Sequence, residues 1–249
     1  MKNLSFSRVG SLLLLALAVL GTSIVSSSGS SSPVWADVIE GTEGDDFIVG
    51  TAGDDIIDSK GGSDANLGDS FDGDGSGDDV LFSGEGDDGN VGDSAFGDGS
   101  GDDIIDSGEG DDVNAGDSGE GSGDGSGDDV INSGEGDDVN LGDTVLGDGF
   151  GDDIIVSGEG GDLNIGDAGF GDGSGDDIIV SGEGGDLNSG DTFEGDGSGD
   201  DVIVSGEQDD TNTGNGGRDI FVCGGGEDDT VTDFNEAEGD IAVPDCENI

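Results

Sequence analysis

The chain has 249 residues, of which 63 are acidic, 4 are basic, 57 are Gly and none is His or Tyr, for a formal net charge of −59. That charge repels nucleic acid and anionic membrane surfaces alike and leaves cations as natural partners. Few large side chains remain for an ordinary globular core, so order has to come from something repeated or bound.

Residues 1–36 read as a secretory leader. Lys2 and Arg8 supply a basic start, Ser11–Leu20 a short apolar run, and Val34-Trp35-Ala36 a small-residue cleavage site before Asp37. An apolar run of this length is short for a membrane span. Removal of the leader leaves all 63 acids against Lys60 and Arg218 alone. The chain is therefore expected to be secreted, extracellular or at the cell surface. That compartment favours a disulfide between the two cysteines, Cys223 and Cys246.

From residue 37 onward the acids are periodic, which neither a solvating acidic tail nor a halophile's hydrated surface requires. In the first nonapeptide of each period the string Gly-x-Gly-Asp-Asp-(Ile/Val) begins at 75, 99, 125, 149, 173 and 197. Each step is 24 residues, except one of 26 where Gly119-Glu120-Gly121-Ser122 lengthens a loop. A period divides into nine, nine and six residues: Asp98–Asp106, then Ser107–Ala115, then a short segment beginning Gly116-Asp117. In each nonapeptide Gly, Asp and Ser supply a tight turn, and a triplet such as Val80-Leu81-Phe82 or Ile154-Ile155-Val156 supplies a strand. Strands of three residues cannot stand alone and must stack. Pro occurs only at 33 and 244, outside the stack, as a continuous ladder requires. The expected fold is an all-β parallel solenoid, a β-roll or β-helix of 24-residue coils over 37–222, closed by a capping segment over 223–249.

Asn recurs at 66, 90, 114, 140, 164, 188 and 212, where the pattern calls for a large apolar residue. Either the amides form a ladder along the stack, or the strand is shifted by one residue so that neighbours such as Val139 and Leu141 face inward. The recurrence favours the ladder, because exposed Asn has little reason to repeat.

Calcium takes six to eight oxygens from carboxylates and carbonyls, and a Gly-rich turn closed by Asp offers both. The turn-closing residues are Asp46, Asp55, Asp64, Asp79, Asp88, Asp103, Asp112, Asp129, Asp138, Asp153, Asp162, Asp177, Asp186, Asp201, Asp210 and Asp219. Stacking sets each above its equivalent in the next coil. Other motifs fail: Asp72–Gly77 starts like an EF-hand loop, but the twelfth position is Ser83 where a bidentate Glu is needed. No phosphate-loop G-K-[ST] is present, and no catalytic set can be named, so the chain is not expected to be an enzyme.

Gly41-Thr-Glu-Gly-Asp-Asp-Phe-Ile-Val49, Gly50-Thr-Ala-Gly-Asp-Asp-Ile-Ile-Asp58 and Gly214-Asn-Gly-Gly-Arg-Asp-Ile-Phe-Val222 resemble the haemolysin-type (RTX) calcium-binding nonapeptide G-G-x-G-x-D-x-U-x. The tail Gly224–Asn235, followed by Glu238-Gly-Asp-Ile241, is similar to the segment that often closes such arrays. The resemblance implies that six residues of each nonapeptide form a calcium turn and three form the strand. Carried over by position, it implies several calcium ions held by the turn-closing Asp residues and by the fourth-position glycines Gly44, Gly53, Gly77, Gly101, Gly151 and Gly217. Lys60 in the turn of Asp64, and Gln208 in place of the glycine before Asp210, set those two turns apart. The family's coil is two nonapeptides, so six further residues imply a wider cross-section or an added edge.

The implied role is a secreted structural or interaction solenoid that folds on extracellular calcium, with its protein, glycan or surface partner unassigned. Two alternatives stand beside it. One is a surface-binding protein presenting Asn and the positions Ser70, Ser94, Ser118, Thr144 and Thr192 to ice, mineral or glycan. The other is a non-catalytic companion of a secreted hydrolase.

Overall fold

The computed structural model describes residues 23–26, 37–71, 73–119, 124–226, 228–243 and 245–249. The expected leader lies outside them except for Ser23–Ser26, whose backbone pairs in parallel with Asp46–Val49. The described residues form about eight coils of an all-β parallel solenoid with no helix, as the repeat requires. None of them is a helix long and apolar enough to cross a membrane.

Two ten-stranded parallel sheets run the length of the stack. The aliphatic sheet starts at Val38–Glu40, continues through Ile104–Glu109 and Ile154–Glu159, and ends at Ile241–Ala242. Its register aligns Ile104, Val130, Ile154, Ile178 and Val202 in one column. The middle residue of each triplet is buried, giving the column Leu81, Ile105, Ile131, Ile155, Ile179, Ile203 and Phe221, while Ile104 and Ile154 face outward. Alternation along a strand sends successive side chains to opposite faces, so each triplet contributes one core residue. Burying each contributes about 1.5–3 kcal/mol.

The asparagine sheet includes Ala65–Leu67, Val113–Ala115, Val139–Leu141 and Leu163–Ile165. Its Asn side chains are fully buried and face the aliphatic column. Each Nδ2 donates to the Oδ1 of the next coil at 2.9–3.0 Å, from Asn66 through to Asn212. In most coils the second Nδ2 hydrogen goes to a buried Ser on the aliphatic strand: Asn114 to Ser107, Asn140 to Ser133, Asn164 to Ser157. The ladder forms, yet Val139 and Leu141 are buried too. The six extra residues explain how: they build a third edge that packs on the outer side of this sheet.

That edge pairs Ala168–Phe170 with Thr192–Glu194 and continues as single bridges from Ser70 through Ser94, Ser118 and Thr144 to Ala168. Val145 packs with Leu141 and Ile165, and Ala95 with Leu67 and Val91. The edge is missing at both ends. Val38 pairs with Ile56, and Val202 with Ile220, a step of two nonapeptides. At the C-terminal end Cys223 succeeds Ser205 in the serine column, meets Asn212 Nδ2 at 3.9 Å, and is disulfide-bonded to Cys246.

Candidate metal centre

The two turns of each coil generate two rows of buried Asp. One row runs from Asp55 through Asp79, Asp103, Asp129, Asp153, Asp177 and Asp201 to Asp219. The other runs from Asp46 through Asp64, Asp88, Asp112, Asp138, Asp162, Asp186 and Asp210 to Asp229. In both, Oδ1 accepts the backbone N–H of the equivalent Asp one coil earlier, as in Asp79 to Asp103 at 2.6 Å and Asp112 to Asp138 at 2.9 Å. Half of each carboxylate after Asp46 therefore ties coils together. The other oxygen, Oδ2, is buried without a hydrogen-bond partner at Asp79, Asp103, Asp129, Asp153, Asp177 and Asp201, and at Asp88, Asp112, Asp138, Asp162 and Asp186.

The first coil differs. Thr42 and Thr51 donate through backbone and hydroxyl to Oδ2 of Asp46 and Asp55, so a neutral donor stands where later coils offer a free oxygen. Asp64 and Asp210 sit in their row like the rest, with Oδ2 buried and unpartnered. Lys60 turns its ammonium away to Glu40 at 3.2 Å. Its φ of 81° occupies a left-handed position that later coils fill with Gly84, Gly108 and Gly134, and Gln208 at φ 93° stands in the equivalent of Gly184. The departures at Lys60 and Gln208 thus alter a turn's backbone residue and leave its carboxylate in place. The fourth-position glycines stack closely: a Cβ on Gly101 would strike the carbonyl of Gly77, and one on Gly151 that of Gly127, whereas Gly44 has open space.

The structure adds a third row absent from the expected ligands. Asp69, Asp93, Asp117, Asp143, Asp167 and Asp191 follow the Asn strand in a recurring Gly-Asp pair and are buried. They meet the first row in five overlapping trios: Asp69-Asp79-Asp93, Asp93-Asp103-Asp117, Asp117-Asp129-Asp143, Asp143-Asp153-Asp167 and Asp167-Asp177-Asp191. Within each trio the ligand atoms lie within 4.8 Å of one another. The Gly of the pair is required, since a methyl group on Gly92 would collide with Asp103 Oδ2 and the Gly116 carbonyl. Period and Gly-Asp pairing were both visible in the sequence; only the added edge reveals that the pair points at the neighbouring turn.

Burial, and then like charge, make this arrangement costly as free carboxylates. Desolvation with Asp117 and Asp69 nearby pushes Asp93 up to about 9, and desolvation with Asp93 alongside takes Asp103 to about 10. Asp79 is raised to about 8, Asp167 to about 12, and Asp129 and Asp153 well above the usual carboxylate range, burial dominating each time. A multivalent cation removes that penalty. The donors are hard oxygens at turns, the set that calcium selects, and neither thiol nor imidazole is among them.

The columns that the surface-binding alternative would present are largely interior, Ser70 alone being half-buried. All seven Asn residues, with Ser94, Ser118, Thr144 and Thr192, are buried. They are spent on the ladder and on the join between the third edge and the asparagine sheet, and cannot contact ice, mineral or glycan.

A family model of the RTX calcium-binding nonapeptide repeat matches four stretches of the chain, residues 36–65, 74–89, 124–139 and 195–231. No curated protein and no solved structure matches it. RTX repeats bind calcium, and several Asp clusters along this solenoid are built to hold such ions. The matched nonapeptides, their stacking into a parallel roll and the buried carboxylates at their turns agree, and the chain carries RTX calcium-binding nonapeptide repeats in those four stretches.

Proposed function

We propose that the chain is an exported structural or interaction module whose order depends on extracellular calcium. Residues 37–222 are the calcium-binding array, and 223–249 close its open end. The observation that supports this most is the unpartnered Oδ2 repeated at turn after turn through the middle of the stack. A buried carboxylate oxygen without a donor is costly and survives when something else satisfies it. The turn-closing Asp residues from Asp79 to Asp201 and from Asp64 to Asp210 are the proposed ligands, with the glycine turns giving the ion access to backbone. Export follows from the basic and apolar start of residues 1–36 and from calcium being plentiful outside cells. No catalytic role is proposed.

The test is far-UV circular dichroism and hydrodynamic radius in chelator, in about 1 M sodium chloride, and in millimolar calcium. Sodium screens repulsion but forms no multidentate bond, so calcium alone is expected to give a compact β-structure. With all three samples held at one pH above most of the raised carboxylate range, the same compact state in chelator or in sodium overturns the reading.

A further inference from the structure

We propose that the Gly-Asp row and the first turn row together hold a single file of calcium ions at one per coil, running inside the solenoid beside the third edge. This rests on the calcium reading above and extends it to residues that lie outside every stretch matched by the family model.

Three observations carry it. The first is orphaned polarity: Asp143, Asp167 and Asp191 are completely buried, and neither oxygen of any of the three has a hydrogen-bond partner. The second is sharing. Asp93, Asp117, Asp143 and Asp167 each belong to two successive trios, so an ion in one trio and an ion in the next hold the same carboxylate. Each coil adds one Gly-Asp carboxylate and one turn-closing carboxylate, two negative charges that one divalent ion neutralises. The third is the way the row ends. After Gly190-Asp191 the next pair is Gly214-Asn215. The Asn215 amide is engaged at both ends: Oδ1 accepts from Ser189 Oγ at 2.8 Å and from Asp191 N at 3.1 Å, and Nδ2 donates to Thr192 O at 2.9 Å. Where the third edge stops, the row's own carboxylate is replaced by an amide that satisfies itself with protein partners.

The second turn row has one buried carboxylate per coil and makes no such trio among the described residues. The file is therefore a separate class of site. Magnesium retains its waters and demands a compact octahedron, whereas calcium sheds water readily and accepts irregular oxygen sets. A file lined by desolvated carboxylates selects calcium.

The experiment is equilibrium dialysis of the full chain against calcium, with dichroism at saturation to score folding. Asp69→Asn removes a carboxylate from one trio and Asp143→Asn from two, so losses of one and two ions per chain are expected, with affinity for the remainder little changed. Glu109→Gln, an exposed carboxylate outside all three Asp rows, leaves the ion count unchanged. Ten-fold excess magnesium displaces under a tenth of the file's ions. If Asp143→Asn does not fold, Asp69→Asn and Asp191→Asn decide, each expected to lose one ion. Calcium-dependent folding with unchanged ion counts in these variants overturns the file and leaves the general reading standing. A wild-type chain that binds no calcium overturns both.

Discussion

Asn140→Ala in the middle of the amide ladder should be among the most damaging single substitutions in the chain. The side chain accepts from Asn114 Nδ2 at 2.9 Å and donates to Ser133 Oγ at 3.0 Å and to Asn164 Oδ1 at 2.9 Å. Alanine deletes all three bonds and leaves their partners in a site that water does not reach. At about 1 kcal/mol per net hydrogen bond, with about 1–3 kcal/mol for each buried group left unsatisfied, the loss is about 3–5 kcal/mol. Asn66→Ala is the matched control. Its Oδ1 already lacks a partner, and it gives up two bonds, to Ser59 and Asn90, for about 2 kcal/mol. The assay is urea unfolding in saturating calcium, followed by dichroism, so that metal binding is held constant. A mid-ladder loss below about 1 kcal/mol, or an end substitution that costs as much as the middle one, would refute the claim that the amides hold the coils together.

Replacing Cys223 and Cys246 by Ser opens a loop of 23-residue separation and should cost about 3 kcal/mol through the freed unfolded chain, read as a lower urea midpoint and faster hydrogen exchange over 220–248. Unchanged exchange there would remove the disulfide from any capping role. Without calcium, stability should fall as pH rises. Asp79, Asp93 and Asp103 are raised by burial to about 8, 9 and 10, so the folded chain keeps protons that the unfolded chain releases near pH 4. Their contribution is complete below about pH 4 and is lost progressively up to about pH 8–10. Dichroism of the metal-free chain should therefore show most β-structure in acid, and a gain of structure on raising the pH would contradict the burial of these carboxylates.

Much of this protein is written in its periodicity. A 24-residue repeat of Gly-Asp turns and β-branched triplets leaves a parallel stack as the way to bury Ile105, Ile131 and Ile155 together, because short strands pair only with their own copies. The turn-closing Asp rows follow from the same spacing. Tertiary structure decided what lies between the rows. Whether Asn140 or its neighbours Val139 and Leu141 faced inward was open in sequence, since period two permits either register. The third edge removed the choice by covering the outer face, so that amide and aliphatic side chains are buried on opposite sides of one strand. The same edge carries Asp93, Asp117 and Asp143 to the neighbouring turn. A recurring Gly-Asp pair looks like any surface turn until the path of the chain shows that its carboxylate faces other carboxylates and no water, and that enclosure is a property of the closed coil.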